Sequence, residues 1–132
     1  MRLTGPDGRA AEWSFAADPD ALRDARALTR ATLRSWQLNA VSDITVLLVS
    51  ELFTNSLRYA SGPIGVRMER TPNRTLIVEV SDPLPDPPLT RAVASDDEGG
   101  RGLQLVAGAS RRWGIRRSRT GKTVWFELAL SG

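Results

Sequence analysis

The order of hydrophobic periodicities along the chain constrains its fold more than any other feature. Two helical stretches follow one another, and each of two later regions contains a pair of strands joined by a short turn. The predicted elements are a strand at 11–18, helices at 19–37 and 42–60, strands at 64–70 and 75–82, a helix at 100–110, and strands at 111–118 and 122–130. Hairpin strands pair antiparallel, and the helices can bury their apolar stripes only against a face of the resulting sheet. We therefore expect one α+β domain over 1–132, a two-layer sandwich with a mixed, mostly antiparallel sheet and the helices on one face.

Local signals place the ends of both long helices. Asp18 can cap the first helix, and Pro19 suits its first position because a helix leaves that N–H group unbonded in any case. Asn39 or Ser42 can begin the second helix. The sequence SGP at 61–63 ends it, because glycine and proline both stop a helix. The residues predicted to be buried are Leu22, Ala25, Thr29, Leu33 and Trp36 on the first helix and Ile44, Leu47, Leu48, Leu52 and Leu57 on the second.

Two residue types are missing, and their absence excludes several kinds of chemistry. Without cysteine or histidine, the chain can form no disulfide, thiol nucleophile, histidine base or histidine zinc site. The net charge of +3 permits nucleic-acid binding without requiring it. The first ten residues hold no apolar signal segment, and no uninterrupted apolar run reaches the roughly 18 residues of a membrane span. We therefore expect a cytoplasmic protein with no membrane segment.

Glu51 and Asn55 lie four residues apart on the second predicted helix and therefore share one of its faces. A carboxylate inside a fold is costly unless it is paired, so a buried Glu51 would need a reason to be there. Carboxylate and amide oxygens suit Mg²⁺, and a carboxylate could also remove a proton from a hydroxyl or a water. The alternative is that Glu51 is an ordinary surface residue and Asn55 is solvated.

Two later stretches could also contribute to a site. Asp82 ends an apolar strand and could accept a hydrogen bond from an exocyclic amine, or it could simply form the turn before Pro83. The stretch GGRGL at 99–103 comes at the start of a helix, where glycines let backbone N–H groups approach an anion at the positive end of the helix dipole. Arg101 could hold phosphate oxygens there. The alternative is a flexible loop that leads into a helix.

A proline-rich segment at 83–100 separates these two stretches and shows no apolar period. A structureless stretch of this length inside a compact domain is usually functional, so we expect a lid. The TGKT stretch at 120–123 is similar to the end of a phosphate-binding P-loop. Arg116 stands where that motif requires glycine, however, and the stretch lies in a predicted hairpin, so a P-loop is excluded.

Taken together and in this order, these stretches resemble the GHKL ATPase superfamily, whose members share the Bergerat ATP-binding fold. More closely, the chain resembles the small anti-sigma-factor serine/threonine kinases and their actinobacterial relatives. ELFTNSLRYA at 51–60 resembles the N box of that family, VSDPLPDPP at 80–88 its G1 box and GGRGLQLV at 99–106 its G2 box. GKTVWFEL at 121–128 resembles the closing strand with its small G3 element. The resemblance covers the core of the domain, about residues 12–130.

The resemblance implies a role for each of these residues. Asn55 would bind the Mg²⁺ that bridges the ATP phosphates, and Glu51 would be the general base that acts on a serine hydroxyl or on water. Asp82 would accept a hydrogen bond from the adenine amino group, and Thr123 would lie near the adenine. The remaining nucleotide-binding residues would be Leu84, Gly100, Arg101, Gly102 and Leu103, with 84–98 as the ATP lid.

The chain departs from the family pattern at two positions. Tyr59 stands where relatives usually have histidine, and Leu84 stands where the G1 box usually has glycine or serine. The chain also lacks the acceptor histidine of the sensor histidine kinases. The resemblance therefore implies a module that acts in trans on protein partners, an antagonist protein or a sigma factor, and relatives commonly form homodimers.

Two functions follow from the resemblance and are left open by the residues. The first is a kinase of the anti-sigma type that transfers the ATP γ-phosphate to a serine or threonine of an antagonist protein. The second is a non-catalytic module that uses ATP only to set the conformation of a surface that binds its partner, for example to sequester a sigma factor. The retention of Glu51 favours the first.

Nucleic-acid binding is a third and less favoured function. The arginines and Trp113 of RRWGIRRSR at 111–119 could form a basic surface on which bases stack. The stretch alternates as a sheet strand does, and acidic residues are plentiful elsewhere in the chain. These two observations favour a strand pair whose arginines are solvated, and we do not expect nucleic acid as a partner.

Overall fold

The computed structural model describes residues 2–4, 9–59, 62–83 and 99–130, and for 2–4 and 99–101 it describes the backbone alone. The elements are β1 Arg2–Thr4, β2 Ala10–Phe15, α1 Pro19–Ser35, a 3₁₀ helix Asn39–Val41, α2 Ser42–Tyr59, β3 Ile64–Arg70, β4 Thr75–Asp82, α3 Gly99–Ala109, β5 Arg112–Ser118 and β6 Gly121–Ala129. The predicted order of helices and strands is confirmed. The sequence analysis missed β1, because a three-residue strand is too short to show alternation.

The six strands form one sheet in the order β1-β2-β3-β4-β6-β5, and every pairing in it is antiparallel. Both predicted hairpins are present, β3 with β4 and β5 with β6. The pairing of β4 with β6 joins the two hairpins and places Asp82 opposite Lys122. The end of β4 therefore lies in the interior of the sheet, with a strand on either side, where its position is well determined.

The ends of α1 follow from its flanking residues. The Asp18 carboxylate accepts a hydrogen bond from the Asp20 backbone N–H at 2.9 Å, and Pro19 occupies the first helical position, as predicted. At the other end Gln37 has a φ of 61°, and the Leu38 N–H donates to the Leu33 carbonyl at 2.8 Å. This left-handed residue ends the helix and turns the chain toward α2.

The helices cover one face of the sheet and bury a single apolar core, which confirms the two-layer α+β architecture. Phe53 on α2 is fully buried and meets Phe15 of β2 edge to face, with 5.6 Å between the ring centroids. Burial of each large apolar side chain stabilises the fold by about 1.5–3 kcal/mol. The other large buried core residues include Leu33, Trp36, Leu48, Leu52, Ile64, Met68, Leu76, Val78, Val106, Phe126 and Leu128.

The central helix, α2, buries one face in the core. The prediction of buried residues on this helix is wrong for one of them. Leu47 is 43% exposed, because the buried stripe of α2 runs through Thr45, Val49 and Leu52 instead. Within the residues that the structure describes, Asn39–Tyr59 is the one helical stretch long and apolar enough to cross a membrane by composition. Half of that stretch is buried against the rest of the domain, as in the core helix of a globular fold.

Candidate functional site

Three elements meet at the end of the sheet where β4 finishes. The Ser56 hydroxyl on α2 donates a hydrogen bond to the Asp82 carboxylate on β4, which fixes these two elements to each other. Gly102 in the first turn of α3 packs against Glu51 of α2. The structure therefore brings the acid-and-amide pair, the strand-end acid and the glycine-rich helix start into one region.

Asn55 carries a polar atom that the fold leaves unsatisfied. Its Oδ1 is buried and has no hydrogen-bond partner among the described residues. Such a group costs about 1–3 kcal/mol, and one that a protein retains calls for a partner from outside, such as a water or an ion. Mg²⁺ commonly takes one or two protein oxygens and fills its other positions with water and phosphate oxygens. The unpartnered amide oxygen of Asn55 fits that requirement.

Glu51 lies one helical turn before Asn55 and is half-buried. A Cβ atom built on Gly102 would lie 3.6 Å from Glu51 Cβ and 3.9 Å from Glu51 Oε1. The first turn of a helix carries unbonded N–H groups and a partial positive charge. The Glu51 carboxylate therefore lies beside the anion-attracting end of α3.

Asp82 is buried, with 6% of its surface exposed. A residue of α2 orients its carboxylate. Ser56 Oγ donates to Asp82 Oδ2 at 2.7 Å. A carboxylate has about four acceptor positions on its two oxygens, more than the Ser56 hydroxyl occupies. The arrangement supports a hydrogen-bond acceptor for a donor group such as an exocyclic amine.

Two glycines, Gly62 and Gly121, lie very close to Asp82 and Pro83. A Cβ atom on Gly121 would collide with the Asp82 carbonyl oxygen. A Cβ atom on Gly62 would lie 2.9 Å from Pro83 Cγ. Glycine is therefore required at 121 for close approach of β6 to the end of β4, and this approach sets the position of the Asp82 carboxylate.

Thr123 lies on the other side of the sheet from this carboxylate. Its hydroxyl is 2.7 Å from that of Ser81, and either can donate. Ser81 and Asp82 are consecutive in a strand and point to opposite faces, so Lys122, opposite Asp82 in the register, is the β6 residue on its face. The role of Thr123 near the adenine stays a prediction.

The remaining predicted residues are described only in part. Gly100 and Arg101 belong to α3, but the structure does not describe the Arg101 side chain. Leu103 is half-buried and packs against the core. Leu84 and the lid predicted at 84–98 lie outside the described residues.

Sequence reasoning missed Ser56, Lys122 and Gly121 as parts of this region. Ser56 could have been found, because it extends the buried stripe of α2 and a buried hydroxyl needs a partner. Lys122 and Gly121 could not, because their places depend on the register of β4 with β6, some forty residues apart in the chain.

The arginine-rich strand β5 is partly neutralised by the sheet beside it. Arg112 donates to the buried Glu127 carboxylate at 2.8 Å, and Arg116 donates to Glu79 at 3.0 Å. Trp113 is partly exposed. Two arginines of the stretch considered for nucleic-acid binding therefore already have carboxylate partners within the sheet, in line with nucleic-acid binding as the less favoured function.

Comparison with known proteins shows the same architecture. Residues 15–128 match the protein family described as the histidine kinase-like ATPase domain. The crystal structure of the RsbU and RsbW domains of Rv1364c from Mycobacterium tuberculosis superposes with a TM-score of 0.74 at 19% sequence identity, over 93% of this chain and 33% of that chain. At this identity the likeness concerns the fold, and this chain spans about a third of the length of that one. No curated protein matches this chain in sequence.

Proposed function

The chain belongs to the histidine kinase-like ATPase domain family, and from this premise we propose that it is an Mg²⁺- and ATP-dependent serine/threonine protein kinase of the anti-sigma type. It would transfer the γ-phosphate of ATP to a hydroxyl of an antagonist protein. Membership of an ATPase family supports ATP as the nucleotide. The observation that carries the kinase proposal is the Glu51 carboxylate beside the first turn of α3, since a base next to an anion-binding helix end is what transfer to a hydroxyl requires.

The proposed binding of the nucleotide uses three groups. The Asp82 carboxylate, oriented by Ser56, would accept a hydrogen bond from the adenine amino group. The N–H groups of the first turn of α3 would bind phosphate oxygens. Asn55 Oδ1 would hold Mg²⁺, which when bound neutralises charge on the phosphates.

The proposed transfer makes Glu51 the general base. As the hydroxyl oxygen of the partner forms its bond to the γ-phosphorus, the bond from that phosphorus to the β,γ-bridging oxygen breaks and ADP leaves. The proton of the hydroxyl passes to the Glu51 carboxylate. The α3 N-terminus favours the negative charge that is being transferred, and it lies next to this base.

The proposed partners are proteins, an antagonist and a sigma factor, and the proposed compartment is the cytoplasm. Phosphorylation adds nearly two negative charges to a hydroxyl side chain. A kinase that binds the unmodified antagonist would therefore release it after transfer, which gives the proposed regulation a direction. We also propose self-association, by analogy with the family that the sequence resembles.

The test is phosphate transfer from ATP to a candidate antagonist protein, read as the mass gain of one phosphate. Glu51→Gln should bind ATP like the wild type and transfer phosphate at least about a hundredfold more slowly, because a positioned general base contributes that much or more. Glu12→Gln is the matched control, since Glu12 is exposed on β2, and it should behave as the wild type. ATP binding without transfer by the wild type would refute the kinase and leave the ATP-dependent binding module.

A further inference from the structure

A cavity lies at the end of the sheet opposite to Asp82, and arginine dominates its described lining. It has a volume of about 360 Å³ and adjoins the turn between β3 and β4. The described residues that line it are Arg9, Leu38, Arg70, Thr71, Pro72, Arg74 and Leu130. None of these described residues carries a carboxylate, so the described lining is basic and has an apolar side.

Backbone hydrogen bonds connect the segments that carry these arginines. The Arg70 N–H donates to the Arg9 carbonyl at 2.8 Å, and the Leu130 N–H donates to the Arg74 carbonyl at 2.9 Å. The Arg74 N–H in turn donates to the Thr71 carbonyl at 3.3 Å, which closes the turn. The three guanidinium groups therefore extend from a backbone whose geometry is already determined before any ligand arrives.

Arg70 is oriented by a tryptophan rather than by an acid. Its guanidinium carbon lies 5.6 Å from the centre of the Trp36 ring, and its NH1 donates to the Trp36 carbonyl at 2.9 Å. A guanidinium has five N–H donors, so these two contacts leave others for a ligand. Within the described residues no carboxylate lies at ion-pair distance from Arg70 or Arg74.

Arg74 occupies a backbone conformation that favours glycine. Its φ is 60°, at the last position of the turn from Thr71, where glycine or asparagine avoids the clash of a Cβ atom. An arginine at this position is strained, and nothing in the turn requires a long cationic side chain. The left-handed conformation suits the last position of a three-residue hairpin loop, and this position brings the Arg74 side chain to the edge of the cavity.

We propose that Arg70 and Arg74 bind an oxyanion, the phosphate or carboxylate group of a small ligand. Guanidinium groups match the paired oxygens of phosphate and carboxylate with two parallel hydrogen bonds. A cavity of this volume lies within the range of small-molecule sites. Leu38 and Leu130 would contact the apolar part of the ligand. The site is separate from the nucleotide-binding region, so it would provide a second input to the domain.

The test is a titration of ¹⁵N-labelled protein at low ionic strength with inorganic phosphate and, separately, with succinate. The reporter is the indole N–H resonance of Trp36, which lies under Arg70. Trp36 lies beside Arg70, at the opposite end of the sheet from Asp82, so phosphate bound at the first turn of α3 does not contact this reporter. We expect saturable shifts of this resonance. The anion with the lower Kd identifies whether the site prefers phosphate or carboxylate.

Arg74→Gly distinguishes the site from general attraction to a basic protein. Glycine suits the φ of 60°, so the variant keeps its fold while it loses one guanidinium, and it should bind at least about tenfold more weakly. Arg119→Gly is the matched control, because Arg119 is exposed in the β5–β6 turn, and it should bind each anion like the wild type. Equal weakening by both variants, or no saturable shift with either anion, would overturn the proposal.

Discussion

Replacement of Ser56 with alanine is the most informative single change in the proposed nucleotide-binding region. It removes the hydroxyl that donates to Asp82 Oδ2 at 2.7 Å, and the two residues are only 4% and 6% exposed. A hydrogen bond to a charged group contributes about 1.5–3 kcal/mol, and water has little access to replace this one. We therefore expect the free energy of unfolding to fall by about 2 kcal/mol, measured by chemical denaturation.

The same substitution should weaken ATP binding. The Ser56 hydroxyl orients the Asp82 carboxylate, which would accept a hydrogen bond from the adenine amino group. A carboxylate without that support is less well positioned, and a loss of about 1.4 kcal/mol corresponds to a tenfold increase in Kd. Calorimetric titration with ATP at a temperature well below the midpoint of unfolding measures this effect separately from stability.

Thr29→Val is the matched control for Ser56→Ala. It also removes a buried hydroxyl, which donates to the Ala25 carbonyl at 2.8 Å, but that hydroxyl lies on α1, away from Asp82. It should cost about 1 kcal/mol of stability and leave ATP affinity unchanged. If both variants reduce ATP affinity equally, or if Ser56→Ala does not reduce it at all, the proposed role of Asp82 is refuted.

Three further substitutions test other parts of the structure. Gly121→Ala would place a Cβ atom in collision with the Asp82 carbonyl oxygen; β6 must then shift away from the end of β4, which should cost about 1–3 kcal/mol of stability and weaken ATP binding, and unchanged affinity would show that this approach does not position Asp82. Arg112→Ala leaves the buried Glu127 carboxylate without its partner and should cost about 1–3 kcal/mol in denaturant unfolding. Phe53→Ala opens a cavity in the core and should cost about 3–5 kcal/mol, seen as a large drop in the denaturation midpoint.

Features that depend on nearby residues could be predicted from the sequence. The Asp18 cap and the proline after it identified the start of α1, and alternation identified both hairpins. Glu51 and Asn55 share a helix face by spacing alone. Each of these depends on at most a few consecutive turns or residues, so the physical cause is visible in a short stretch of sequence.

Features that depend on distant residues could not be predicted. The register of β4 with β6 places Lys122 opposite Asp82 and requires glycine at 121, and no local pattern indicates it. Leu47 was expected in the core because its helical spacing suits several stripes, but the packing of α2 on the sheet selects one of them and leaves Leu47 exposed. Tertiary contacts decide among faces that local periodicity cannot distinguish.

The unsatisfied oxygen of Asn55 is likewise visible only in the folded structure. The sequence indicated an oxygen donor suited to Mg²⁺, and the structure adds that the fold supplies no internal partner for it among the described residues. Replacement of this side chain by alanine therefore removes no internal hydrogen bond to Oδ1. A change in ligand binding by such a variant can be separated from a change in folding.

The most direct test of the proposed site is calorimetric titration of ATP, with and without Mg²⁺, into the wild type, Asn55→Ala and Asn39→Ala. Asn39 is exposed at the start of the 3₁₀ helix and provides the same substitution away from the site. We predict that Mg²⁺ strengthens ATP binding to the wild type and to Asn39→Ala, and that this gain is lost in Asn55→Ala while its unfolding free energy stays near that of the wild type. An Asn55→Ala variant that binds Mg²⁺ and ATP as tightly as the wild type would contradict the account.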